Sequence, residues 1–152
     1  MRGFCGLMIV WLLTLLPGAP ARAEAVLSEA QATLVVEITN LRSDDGQVLL
    51  TLYASEDGWV KKPAKAKVRR IVPIHEGKAR ERIEALSPGG YAVAVVHDEN
   101  ASGAMDRNWI GIPKEGYGFS NDAIGSMGPP SFKAARFDVK GPETTIRLRM
   151  RY

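Results

Sequence analysis

The sequence has 152 residues, of which 20 are basic and 17 acidic, and 45% are hydrophobic. Its formal net charge of +3 is too small for a charge-driven nucleic-acid binder. Cys5 is the single cysteine, which excludes a disulfide framework and cysteine-based metal or redox chemistry.

Residues 1–23 read as a secretory signal. Arg2 gives a positive start, Gly6 to Leu16 is apolar, and Ala21-Arg22-Ala23 offers the small residues a signal peptidase reads. The apolar run is shorter than the roughly 20 residues of a membrane span. A retained membrane anchor is the alternative, and Cys5 lies before the run, out of place for a lipoprotein anchor. Cleavage after Ala23 leaves 129 residues with 18 basic and 17 acidic side chains. The expectation is one domain in the bacterial periplasm or outside the cell, with no membrane span after cleavage.

Residues 24–31 form an N-terminal lead, and the domain is expected over 32–152. "ATLVVEITNL" alternates Leu34, Val36 and Ile38 with Val35, Glu37 and Thr39, the period of a strand. Asp45-Gly46 is a hairpin signal, with "QVLLTLYA" as the return strand. "SEDGWVKKPAKA" is a polar connection in which Trp59 is expected to be exposed. "KVRRIVPI" is a third strand, and Pro73 marks its end as an edge or bulge. "ARERIEAL" is a fourth. "SPGG" supplies a turn before "YAVAVVH", whose two apolar faces suit a central strand. "SFKAARFDV" and "TTIRLRMRY" complete the set. In the last, Ile146, Leu148, Met150 and Tyr152 lie opposite Arg147, Arg149 and Arg151. The fold class is therefore all-β: an antiparallel immunoglobulin-like or transthyretin-like sandwich of about seven strands with one long loop. A small barrel is the alternative.

That loop, between the "YAVAVVH" and "SFKAARFDV" strands, concentrates the polar chemistry. Residues 98–122 carry five acids and two bases, a net of −3 on a body that sums to +4. Asp98, Asn100, Ser102 and Asp106 follow the opening of an EF-hand-type calcium loop, with Gly103 at the sharp turn. Calcium takes 6–8 oxygen ligands, and alternate side chains can curl round one ion. Trp109 stands at the twelfth position, where such a loop needs a bidentate Glu. Calcium is thus the candidate cofactor, bound weakly. The alternative is a loop whose Asp and Asn cap its own backbone.

The second half, "NWIGIPKEGYGFSND", is too rich in aromatics for a disordered linker. Trp109, Tyr117 and Phe119, with His97, either cap one end of the sandwich or line a site for an apolar or sugar-like ligand. The Arg147/Arg149/Arg151 row reads as the solvated face of an edge strand, with anion binding the alternative. His97 beside Asp98 suggests a general base, but no nucleophile accompanies it, and two distant histidines make no zinc site.

Three strings carry a resemblance: G-x-Y-A-x-x-x-x-H-D-x-N-x-x-G-x-x-D, then G-x-P-x-E-G-Y-G-F-S-N, then P-x-F-x-x-A. With them the chain resembles, from about Leu34 to Tyr152, the DUF2141 family, a group of secreted bacterial proteins of unknown function. Members commonly carry a fuller D-x-N-x-N-G-x-x-D, and Ser102 here departs from it, which weakens the calcium reading. The resemblance implies a periplasmic or secreted β-sandwich and carries over no activity. "L-S-P-G-G-Y-A-V" also looks like the strand and turn of transthyretin-like and carboxypeptidase regulatory domains. The expected role is a non-catalytic binding or accessory module for an envelope protein or a small ligand. The alternatives are a purely structural domain acting through a partner, and a hydrolase-like enzyme using His97 and Asp98.

Overall fold

β1 (Ala32–Thr39) sends Leu34, Val36 and Ile38 into the core with no exposed surface, as its alternation requires. These residues belong to a computed structural model that describes residues 31–152. The signal and residues 24–30 of the lead lie outside the described residues. No described helix is long and apolar enough to cross a membrane.

Two sheets form the sandwich. In the smaller, β1 lies between β4 (Ala79–Leu86) and β8 (Glu143–Arg149), antiparallel to the first and parallel to the second. In the larger, the order is β3 (Val68–Val72), β2 (Gln47–Tyr53), β5 (Gly89–Asp98), β6 (Gly116–Phe119). β7 (Phe137–Val139) pairs the N-terminal end of β5 on a separate ladder. Val48, Leu50 and Leu52 of β2 and Val93 and Val95 of β5 face the smaller sheet across the core. Each such side chain contributes about 1.5–3 kcal/mol by leaving water. β3 is an edge strand that stops before Pro73, as that proline requires. β5 is central and buried on both faces.

Four expectations need correction. Asp45-Gly46 makes no hairpin: Gly46 has the positive φ of +71°, but β1 and β2 belong to different sheets, so the turn is an arch between them. Only glycine fits there, because an added Cβ would fall inside the Asp98 carbonyl oxygen. Trp59 is 7% exposed, not on the surface. It packs edge-on against Tyr53 and Phe132 and donates Nε1–H to the Pro130 carbonyl at 2.8 Å. "SFKAARFDV" is a strand only at its end: Ser131 caps a helical turn, α1 (Phe132–Ala135), by accepting from the Ala134 N–H. The single long loop is interrupted by β6, which makes eight strands among the described residues.

The arginine row on β8 and just beyond it is engaged. Arg147 pairs with Glu37 at 2.6 Å, Arg149 pairs with Asp122 at 3.1 Å, and Arg151 reaches the Asp122 carbonyl at 3.5 Å. Such exposed pairs contribute little individually. Asp122 also accepts the Arg149 N–H at 2.8 Å, which ties the turn after β6 to the other sheet.

Candidate functional site

The β5–β6 connection, residues 99–115, folds over one end of the larger sheet, and buried carboxylates hold it there. Asp98, with no exposed surface, accepts from Gln47 Nε2, Ser102 N and Gly103 N, each at 2.8 Å, and from the Ser102 hydroxyl at 3.3 Å. Burial alone would raise its pKa. The bonds from Gln47, Gly103 and Ser102 outweigh burial and hold it below the ordinary 3.8. Glu115, also buried, accepts the Glu99 N–H at 3.2 Å and the Asp106 N–H at 2.8 Å. Asn100 accepts the Ser102 N–H at 3.0 Å and donates to Asp106 at 2.8 Å.

Asp98, Asn100, Ser102 and Asp106 are therefore brought together, but as a hydrogen-bonded loop. Both Asp98 oxygens accept from N–H donors. Among the described residues no group of three or more His, Cys, Asp or Glu side chains is placed to hold a metal. Glu115 is the anchor that a reading of the sequence misses; its signal was an acid just before a glycine-aromatic alternation.

His97 lies on the inner face of β5, with no exposed surface. Its Nε2 meets the Asp45 carbonyl at 2.9 Å and its Nδ1 meets the Tyr152 hydroxyl at 2.7 Å. A carbonyl only accepts, so Nε2 carries a hydrogen. The Tyr152 oxygen accepts the Arg42 N–H at 3.0 Å, so in the neutral imidazole its own hydrogen goes to Nδ1. Arg42 lies over the Tyr152 ring at 4.5 Å and pairs with Glu99 through two bonds of 2.6 and 2.7 Å. The Arg42 bond is the largest cause holding the Glu99 carboxyl below its ordinary range, working against burial. His97 thus locks the end of the sandwich and touches no groove.

The string Gly116-Tyr117-Gly118-Phe119 now has a physical reading. Alternation puts both glycines on the inner face of β6. A Cβ on Gly116 would overlap the Tyr152 ring, and one on Gly118 would lie 3.0 Å from Leu148 Cδ1 and the Arg149 carbonyl. The glycines let the two sheets close here, where Tyr117 and Arg151 exchange backbone bonds of 2.9 and 2.8 Å. Tyr117 and Phe119 point outward. Phe119 joins the Trp59 cluster, and Tyr117 packs beside it with ring centres 5.9 Å apart. Ser120 then accepts the Val93 N–H at 2.9 Å and donates to the Ala135 carbonyl at 2.6 Å, securing β6 and α1 to β5.

The outer face of the larger sheet is a groove of about 990 Å³. Its floor is Leu49, Thr51, Ile71, Val96 and Tyr117. Met105, Ile110 and Ile112 overhang it from the β5–β6 connection, and Met127 from the segment after β6. Ile71, Ile110, Ile112 and Met127 are 66%, 55%, 54% and 100% exposed, too much apolar surface in one place to be incidental. Of the four residues expected in a ligand loop, Tyr117 and Phe119 line the groove. Trp109 is 95% exposed at the loop's turn, and His97 is on the opposite face of the sheet. The remaining groove residues left one trace in the sequence: Leu49, Ile71 and Val96 are apolar residues on the outward faces of their strands.

The family model described as "Uncharacterized protein conserved in bacteria (DUF2141)" matches residues 36–147, and the chain belongs to this family. No curated protein and no solved structure matches it.

Proposed function

We propose that this DUF2141 protein is a non-catalytic binding module that takes an apolar ligand in the groove on the outer face of its larger sheet. The observation that carries the reading is the open groove itself. A sheet face that is apolar from Leu49 to Tyr117 is lined and overhung by four exposed large hydrophobic side chains. Its volume falls in the range of small-molecule sites. The hydrogen bonds of Asp98 and Glu115 support a loop held by its own side chains rather than by calcium. The absence of exposed surface on His97 speaks against its use as a general base. The N-terminal signal pattern supports a periplasmic or secreted location.

The test is equilibrium binding of the neutral fluorophore N-phenyl-1-naphthylamine. The protein is expected to bind it saturably, and Leu49→Glu is expected to weaken binding at least tenfold. Leu49 is half-buried on the outer face, so this variant is expected to keep the wild-type circular dichroism. No saturable binding by the wild type, or unchanged binding by a folded Leu49→Glu, sinks the proposal.

A further inference from the structure

Resting on that groove, we infer that its ligand is a single-chain amphiphile with an anionic head. Three arginines line the groove, Arg69, Arg70 and Arg107, and among the described residues no carboxylate does. Arg70 pairs with Glu81 at 3.4 Å. Arg69 and Arg107 are exposed and, among the described residues, neither is ion-paired.

The two stand on different walls. Arg69 projects from the edge strand β3, directly across the ladder from Thr51. Arg107 belongs to the overhanging connection, and one of its Nη atoms donates to the Gly111 carbonyl at 3.0 Å. That bond holds the side chain while the rest of the guanidinium fork remains for an anion. This chain does the opposite elsewhere: Arg42, Arg82, Arg147 and Arg149 each pair with a carboxylate within 3.1 Å. A guanidinium beside an apolar floor matches a carboxylate or phosphate whose tail is hydrocarbon.

An alkyl chain also suits the site better than a peptide. The floor of the groove is the face of the sheet, where side chains project and the backbones of β2 and β5 are already paired with neighbouring strands. A peptide laid there would lose water from its own backbone without gaining partners, whereas peptides recognised by sheets add to an edge. A hydrocarbon tail carries no such groups. The tail would lie along Leu49, Val96, Tyr117 and Ile112, with the head at either guanidinium.

Displacement of the same neutral fluorophore tests this with four 12-carbon chains below their aggregation concentrations: dodecanoate, dodecyl phosphate, 1-dodecanol and dodecylamine. Hydrogen bonds to charged groups correspond to about tenfold or more in affinity. At least one anion is therefore expected to compete about tenfold better than the alcohol, and the amine worst. Which anion leads distinguishes a fatty-acid head from a phosphate head. The double variant Arg69→Gln/Arg107→Gln is expected to equalise anion and alcohol while still binding the fluorophore, and added salt is expected to narrow the wild-type preference. Equal competition by anion and alcohol in the wild type overturns the inference and leaves the groove reading standing. So does a preference that survives the double variant. No fluorophore binding at all ends both. A dimer on sedimentation whose dissociation by Trp109→Ser uncovers the fluorophore site would assign the groove to a second copy instead.

Discussion

Replacing Asp98 separates a self-held loop from an ion-held one. Asp98→Ala removes the acceptor for Gln47 Nε2, the Ser102 N–H and hydroxyl, and the Gly103 N–H. Bonds to a charged acceptor contribute roughly 1.5–3 kcal/mol each. The four share one carboxylate, so their losses do not add. Ser102 and Gly103 are exposed, so their N–H groups turn to water. The net cost of Asp98→Ala is about 3 kcal/mol, a large part of the roughly 5–15 kcal/mol that holds a domain of this kind. Asp98→Asn is the sharper variant. Donors face both carboxylate oxygens, so the amide NH₂ must point at one of them, and the cost is about 2 kcal/mol or more. Urea unfolding read by tryptophan fluorescence measures both, with an unchanged denaturant slope showing that the comparison is valid. The folded-state pKa of Asp98 is depressed, so its contribution is complete above the ordinary 3.8 and is lost as pH falls through the folded value. Wild-type stability is expected to fall below about pH 4 more steeply than that of Asp98→Ala. An Asp98→Asn variant within about 0.5 kcal/mol of wild type would refute the reasoning. So would a deficit that millimolar calcium restores.

Tyr152→Phe leaves His97 Nδ1 buried without its donor and is expected to cost about 1–3 kcal/mol; a melting curve that overlays the wild type would count against the proposed hydrogen-bond chain. Gly116→Ala is expected to cost about 1–3 kcal/mol by overpacking against the Tyr152 ring. In a double-mutant cycle Tyr152→Leu should reduce that penalty, and strict additivity would place the clash elsewhere. Trp109→Ser is expected to change stability by less than about 0.5 kcal/mol. Trp59→Ala should cost about 3–5 kcal/mol, and similar values for the two would contradict their assigned burial.

The strands were legible where period and burial coincide. β1 and β5 announced themselves because their side chains meet one hydrophobic layer or two. β6 did not, because Gly116 and Gly118 lower strand propensity locally and their reason, the closeness of Tyr152 and Leu148, lies more than 25 residues away. Asp45-Gly46 illustrates the same limit. The positive φ at Gly46 is a local property and was readable. Whether the next strand returns along β1 or crosses to another sheet depends on β4 and β8, far along the chain, taking both edges of β1 in the finished sheet. Trp59 sits in a polar run that gives no sign of the aromatic cluster it enters. At the site, the spacing of Asp98, Asn100, Ser102 and Asp106 was visible, but the same spacing serves an ion or a capped loop. Only the direction of the N–H groups tells which. The groove was the least legible part, since its lining comes from segments scattered from Leu49 to Pro129.

The parallel pairing of β1 with β8 bears on how the chain comes to be folded. Thr33 sits opposite Glu143, and Glu37 bonds Arg147 across 110 positions of sequence. A chain emerging at about 5–20 residues per second has made β1 many seconds before its second neighbour exists. Until then one edge of an apolar strand has no ladder partner, which is the condition that invites pairing with other chains. The partly formed fold, rather than the finished molecule, is where this chain is most exposed. A chaperone that shields β1 until β8 has paired with it is expected to raise the yield without changing the stability of the product.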